Sequence, residues 1–347
     1  MLITLYSFGL SILLIFICVL LFKHLGWLDK PHLFGYQRAP IPYGLGIIFF
    51  LVFLFLSLFF LDISAKVIVL LVAGGVLTCV SFADDRVGLP AMPRLLVQML
   101  CALALVLSGV FVPAISNPFG DPIVLDSISW TLALGPWNLI IFPIADLLAI
   151  IWIVFVINAM NWLDGSPGIV SGISTIACAV IYFLATMNDL HVIDQSNLSA
   201  MALILAGTCL AFLFFDFPRP KILMGDSGTM FLGFMIAIMA IFSGGKLATA
   251  FIVLAIPILD AGWTIVRRII KRQSPFRGDF QHFHHELMKA GLSEKQVNIF
   301  YYLISLGFGF TALYLESFGK FIAIIFLFSL MLFIRLYLAN GLLRNNS

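Results

Sequence analysis

Residues 65–86 read AKVIVLLVAGGVLTCVSFADDR. From residue 67 to residue 83 this stretch carries no charge, and Asp84, Asp85 and Arg86 then follow without a break. Crossing roughly 30 Å of hydrocarbon takes about 20 apolar residues at 1.5 Å each, so the stretch predicts a membrane-spanning helix over 66–83 with a carboxylate pair at its polar end. Stretches of the same kind recur on both sides, at 2–22, 44–61, 95–112, 138–157, 169–188, 198–215, 229–244, 247–264, 297–316 and 319–338, making eleven in all. The first is followed by Lys23, His24 and Trp27 with no small-residue cleavage site, so it reads as a retained span.

Composition agrees with this pattern. Of 347 residues 62% are hydrophobic and 10% charged, against roughly 25% charged in a soluble domain. With 35 Phe and a mean hydropathy of +1.12, a water-soluble globule is excluded and lipid must solvate much of the surface. The expected fold is an all-α polytopic membrane protein, one domain over residues 1–347, since no repeat or low-complexity linker divides the chain. All five cysteines lie in apolar runs, which indicates neither a disulfide framework nor a zinc site. A net charge of +2 is too small to suggest a nucleic-acid partner.

Eleven spans put the termini on opposite sides. One set of loops carries sixteen of the 19 Lys and Arg residues and the other only Lys66, Lys246 and Lys320. The positive-inside rule therefore predicts the N-terminus outside and the C-terminus in the cytosol.

On that basic face carboxylates gather. Asp84 and Asp85 stand at a helix C-terminus, where the helix dipole disfavours negative charge, so a bystander there would more cheaply be basic. Adjacent helix positions do not face each other, which predicts different jobs for the two. Asn158, Asn161 and Asp164 follow at three-residue intervals and close the fifth span with Gly165. A capping turn needs one polar residue rather than three. Lys221-Ile-Leu-Met-Gly-Asp226-Ser-Gly-Thr opens the eighth span, where backbone N–H groups suit phosphate and a carboxylate suits a hard cation; ordinary capping is the alternative for Asp226 alone. The long basic loop, about 265–296, holds Arg277 and the run Asp279-Phe-Gln-His282-Phe-His284-His285-Glu286-Leu287. Without Cys partners this cluster suits phosphate contact or acid–base work better than zinc.

Taken in order, Asp84-Asp85, Asn158-x-x-Asn161-x-x-Asp164-Gly165, Met224-Gly225-Asp226-Ser227-Gly228, Pro257-x-x-Asp260 and His282-x-His284-His285 resemble the polyprenyl-phosphate N-acetylhexosamine-1-phosphate transferase family, glycosyltransferase family 4, over nearly the whole chain. The resemblance implies transfer of a sugar-1-phosphate from a UDP-sugar to a lipid phosphate, with release of UMP. It implies Mg²⁺, with Mn²⁺ as a substitute, bound by Asp226. It further implies that Asp84 and Asp85 bind or deprotonate the lipid phosphate, and that Asn161 and Asp164 line the nucleotide and diphosphate site. His284 and His285 would contact the diphosphate. Asn158, Lys221, Asp260, Arg277 and His282 are the remaining expected substrate contacts.

The His loop is similar to that of the branch using simple N-acetylhexosamines, which implies UDP-GlcNAc or a close relative as donor and undecaprenyl phosphate as acceptor. The setting implied is the bacterial cytoplasmic membrane and the first step of a cell-envelope glycan such as lipopolysaccharide or teichoic acid, with a homodimer allowed. Three positions depart from the family pattern. Pro167 replaces a carboxylate, Tyr43-Gly44-Leu45-Gly46 replaces Arg-Gly-Gly, and Glu286 replaces Arg. The alternatives weighed are a phospho-MurNAc-pentapeptide transferase, a CDP-alcohol phosphotransferase, whose further aspartates are absent, and a transporter or flippase of lipid-linked sugars. A transporter places its charges near the bilayer midplane, where Asp146 is the one candidate.

Overall fold

A computed structural model describes residues 1–34, 38–134, 137–187, 195–244, 247–273 and 282–345. In chain order the helices are α1 (Leu2–His24), α2 (Ile47–Phe60), α3 (Ala65–Val87), α4 (Ala91–Leu107), α5 (Pro143–Leu163), α6 (Ile169–Met187), α7 (Gln195–Asp216), α8 (Gly225–Phe242), α9 (Leu247–Val253), α10 (Ala255–Ile270), α11 (Phe283–Lys289), α12 (Glu294–Tyr314) and α13 (Ser317–Asn345). Between α4 and α5 lie two small antiparallel pairs. β1 (Ala114–Ile115) pairs with β2 (Ile123–Val124), and β3 (Trp130–Leu134) pairs with β4 (Trp137–Ile141). The protein is an all-α polytopic membrane protein. Among the described residues eight helices are long and apolar enough to cross a membrane, or nine if α9 and α10 form one bent span; α2 and α4 are shorter apolar helices. The predicted stretches fall on α1 to α8, α12 and α13, with the fifth helical only from Pro143 and 247–264 divided between α9 and α10.

One hydrophobic core runs from Ile15 in α1 to Met331 in α13. At its centre is α8, buried along its whole length except at Asp226, as expected of a helix that is apolar on every face. It packs most extensively on α3 and α5 and also touches α2, α6, α7 and α9. Trp152 of α5 donates its indole N–H to the Ala237 carbonyl, 3.1 Å away. Outward faces stay apolar: Leu20 is 72% exposed and Leu303 65%. In water such a surface would drive aggregation; here it is what lipid solvates.

Where boundaries differ from the sequence reading, the cause is local. The fifth span starts at Pro143 rather than 138, because residues 137–141 are the second strand of a ribbon and proline is favoured in a helix's first turn. The eighth starts at Gly225 rather than 229, which puts Asp226 in its first turn. The stretch 247–264 is broken, with α9 and α10 meeting at 90°. Pro257, in the first turn of α10, has no N–H to carry the hydrogen-bond ladder across that break. The second span begins at Ile47 because residues 43–46 run alongside Leu223 and Met224: the Gly44 and Leu45 N–H groups donate to the Leu223 carbonyl and that of Gly46 to Met224. A Cβ on Gly46 would lie 2.1 Å from the Gly228 nitrogen, so glycine is what lets α2 start against the first turn of α8.

Candidate active site

The α3 C-terminus, the α4 and α8 N-termini, the α5 C-terminus and α11 meet at one end of the bundle. Asp84 and Asp85 diverge there as adjacent helix positions must. Asp84 accepts from the Leu89 N–H and from Arg94 of α4, at 2.6 Å. Asp85 turns to α8, accepting from the Asp226 N–H (2.7 Å), the Ser227 N–H (3.2 Å) and the Ser227 hydroxyl (2.7 Å). It therefore caps α8 in trans, with its charge on the positive end of the helix dipole. Tyr43 adds a hydrogen bond to Asp85, and its phenol is raised well above the ordinary range by burial and then by the charges of Asp85, Asp226 and Asp164. Arg86 donates to the Tyr43 carbonyl and lies among the rings of Phe22, Trp27, Tyr43 and Phe82, pinning Trp27 and Tyr43 to α3.

Asp226 binds the same Arg94 nitrogen as Asp84, again at 2.6 Å. The Arg94 and Asp226 side chains are 27% and 25% exposed, so the pair borders an open recess. Asn161 donates to Thr229 of α8 (3.0 Å) and also borders Asp226. Asn158 instead donates to Gln98 of α4 (2.6 Å) and to the Val154 carbonyl, which makes it a tie between helices rather than a lining residue. Asp164 ends α5 and is accessible within the recess. Surrounding protein nevertheless holds bulk water back from it. That desolvation, followed by the charges of Asp226 and Asp85, pushes its carboxyl up to about 7. The loop after it is clamped from α12: Asn298 donates to the Pro167 carbonyl (2.7 Å) and accepts from Ser166 (2.9 Å).

The histidines sit at the start of α11, braced by α10 and α13. Asp260 of α10 accepts from His282 Nδ1 (2.8 Å), from the Phe283 N–H (3.0 Å) and from Arg335 of α13. All of these partners are buried, so Asp260 positions the His motif rather than facing the recess. Arg335 also lies 3.4 Å from Glu286, where burial raises the carboxyl and Arg335 opposes the rise. Thus Glu286, which stands where the resemblance implies Arg, is matched by a cation from another helix. His284 is fully buried, with neither ring nitrogen hydrogen-bonded among the described residues. Burial, then His285 and His282, hold it well below the ordinary histidine range, so it is a neutral imidazole. It lies against Gly165, stacks on the His282 ring (5.9 Å, 3°) and touches His285 (4.1 Å). Trp162 lies 6.0 Å from His282. Lys221 is exposed on the loop leading to α8. Arg277 and Asp279 lie outside the described residues.

Asp85, Asp164 and Asp226 thus share one end of the bundle, where the charges of Asp226 and Asp85 raise Asp164 and the available donors are oxygens, an arrangement that suits a hard cation. Among the described residues no three His, Cys, Asp or Glu side chains converge as a ready metal cage. Asp85 is held by α8 and Arg94 joins Asp84 to Asp226, so a cation here would take Asp164 together with the part-exposed Asp226, whose contact with Arg94 it would share or replace. Arg94 and Arg335 are site residues that sequence reasoning passed over, and Tyr43, noted there only as a departure from the family pattern, bonds Asp85. Nothing in the sequence marks Arg94 or Arg335 beyond their basic charge, because their partners lie 132 and 75 residues away.

The model for glycosyl transferase family 4 matches residues 67–244, half of the chain and the part that holds α3 to α8. The chain belongs to glycosyl transferase family 4. Among its relatives, the probable undecaprenyl-phosphate N-acetylglucosaminyl 1-phosphate transferase of Bacillus subtilis (strain 168) is 31% identical over 259 residues, 73% of this chain and 67% of that protein. The decaprenyl-phosphate N-acetylglucosaminephosphotransferase of Mycobacterium leprae is 33% identical over 257 residues, 67% of this chain and 60% of its own length. The undecaprenyl-phosphate alpha-N-acetylglucosaminyl 1-phosphate transferase of Yersinia pestis is 27% identical over 302 residues, 84% of this chain and 77% of that one. The chain spans about three-fifths of the mycobacterial family member it matches.

Proposed function

We propose that this family 4 protein transfers N-acetylglucosamine-1-phosphate, or a closely related N-acetylhexosamine-1-phosphate, from a UDP-sugar to undecaprenyl phosphate at the cytosolic face of a bacterial cytoplasmic membrane, releasing UMP and starting a cell-envelope glycan. The observation that carries this reading is the recess where Asp164, Asp226 and Arg94 meet at one end of a lipid-solvated helix bundle, with Asp84 behind Arg94 and a neutral His284 buried against Gly165. Such a site suits a reaction in which one substrate is a membrane lipid and the other a soluble nucleotide sugar. The printed names of the relatives support it from a separate direction.

In the reaction an oxygen of the acceptor phosphate bonds to the sugar-bearing phosphorus, and the bond from that phosphorus to the UMP phosphate breaks. Two anions must meet, so cations have to offset their repulsion. Mg²⁺, or Mn²⁺ in its place, held by Asp226 with Asp164, would supply that offset and polarise the transferring phosphoryl group. Arg94 offers charge beside the acceptor, and Asp84 next to it is placed to take a proton from a protonated acceptor phosphate. Asn161, bonded to Thr229 and bordering Asp226, would contact the diphosphate from α5. Neutral His284 can donate one N–H to a diphosphate oxygen, and His282, held by Asp260, keeps the stack in register. Asp85 acts through α8, whose first turn it holds in place for Asp226.

The test incubates the detergent-purified protein with polyprenyl phosphate, Mg²⁺ and a panel of UDP-sugars, and measures UMP and lipid diphosphate sugar. Product is expected with a simple UDP-N-acetylhexosamine. No product with any donor would reject the transferase reading. Consumption of UDP-MurNAc-pentapeptide at least as fast as every simple donor would reject the donor class.

A further inference from the structure

We infer that Gln98, one turn beyond Arg94 on α4, is a positioning residue for the transfer, holding Arg94 in register with Asp226 through a buried polar layer beneath the recess. This inference rests on the transferase reading. The layer draws one member from each of four helices. Gln98 accepts from the Asn158 amide of α5 at 2.6 Å and donates to the Met230 sulfur of α8 at 3.7 Å, and the Ser81 hydroxyl of α3 donates to the same sulfur at 3.1 Å. Ser81, Gln98 and Met230 are all buried. Ser81 precedes Asp85 by four positions, Gln98 and Met230 follow Arg94 and Asp226 by four, and Asn158 precedes Asn161 by three. Residues three or four apart on a helix share a face, so each member of the layer stands under one residue of the site.

Two observations separate positioning from packing. First, α4 packs on α3 and α5, but among the described residues it makes no extensive contact with α8. The bond from Arg94 to Asp226 therefore spans two helices whose backbones do not seat on each other, and a long, partly exposed arginine does not fix that spacing by itself. Gln98 supplies a second link between the same two helices and ties α4 to α5 as well. Its carboxamide gives its oxygen to one neighbour and its nitrogen to the other, so a single side chain sets both the height and the rotation of α4. Second, hydrogen bonds between membrane helices add little to stability, because separated helices find other polar partners. Leucine, with no polar group to bury, would serve stability as well. What the amide adds is a fixed distance, and a displacement of about 1 Å in an active site costs on the order of 100-fold in rate.

The experiment measures UMP release and thermal unfolding in detergent for Gln98→Leu, Gln98→Asn and two double variants. In Gln98→Leu kcat should fall on the order of 100-fold, while the KM for the UDP-sugar and the unfolding temperature stay close to wild type, as expected when geometry is lost only where the transition state needs it. Gln98→Asn draws the acceptor oxygen back by one methylene and should also lose turnover. Adding Asn158→Gln advances the donor by the same step, so the double variant should recover most of that loss. Adding Asn158→Leu instead returns the volume without the donor and should recover nothing. Turnover of Gln98→Leu above half of wild type, losses that follow a falling unfolding temperature, no recovery with Asn158→Gln, or equal recovery with Asn158→Leu would overturn the inference. If Gln98→Leu does not fold, the two double variants decide it. An active wild type indifferent to the amide refutes the role of Gln98 alone, whereas a wild-type protein inactive with every donor refutes the transferase reading and this role with it.

Discussion

Alanine at Gly165 should silence the enzyme through a single added carbon. A Cβ there would stand 1.9 Å from His284 Nε2, 2.8 Å from Cδ2 and 2.9 Å from Cε1, where ordinary contact begins near 3.4 Å. The imidazole must therefore retreat by about 1.5 Å, yet it is fully buried, with His282 stacked on it and His285 touching it. Gly165 is not among the glycines at positive φ, so alanine adds no backbone strain and the effect belongs to the Cβ. Overpacking of this kind costs about 1–3 kcal/mol of stability. Misplacing a catalytic group by about 1 Å costs on the order of 100-fold in rate, so kcat for UMP release should fall by at least about that factor. Thermal unfolding in detergent separates the two effects, and Gly165→Ala with His284→Ala separates the mechanism. If alanine acts by expelling His284, the double variant is no worse than His284→Ala. Turnover of Gly165→Ala above half of wild type, or losses that multiply in the double variant, would refute the reasoning.

Asp226→Asn should abolish turnover while leaving a folded, monodisperse protein: its ion pair with Arg94 is partly exposed, so stability changes by no more than about 1 kcal/mol, and near-normal activity would reject the cation-ligand role. With its carboxyl at about 7, Asp164 holds a proton below that pH and is free to bind a cation above it. Apparent Mn²⁺ affinity, read by electron paramagnetic resonance without substrate, should strengthen from pH 6 to 8, and Asp164→Asn should flatten that dependence; a pH-independent wild type would show that Asp164 is not a ligand. Finally, in a cysteine-free background, a cysteine at Asp121 should label from outside intact cells and one at Ser293 only after permeabilisation, and the reverse pattern would invert the predicted orientation.

Much of the architecture was legible because it rests on local quantities. Length and hydropathy mark a span wherever a chain must be solvated by lipid, and each of the eleven stretches found that way overlaps a helix or the bent α9–α10 pair. The carboxylates at the recess stood out for the same reason, since ionisable residues are rare and costly in so apolar a chain. What the one-dimensional pattern could not contain is how each helix is rotated and what it meets. Asp84 and Asp85 are neighbours in sequence, yet one faces Arg94 and the other caps α8, because successive helix positions point about 100° apart. Asn158 and Asn161 share a motif, yet one ties α5 to Gln98 and the other borders Asp226. Asp260 is legible as part of a motif, but its role as anchor for His282 depends on Arg335 arriving from α13. The right angle between α9 and α10, the ribbon at 130–141 and the fit of His284 against Gly165 likewise arise only when distant segments compete for the same space. Hydropathy is a property of each residue alone, whereas a site is a set of distances between residues that only packing can bring together.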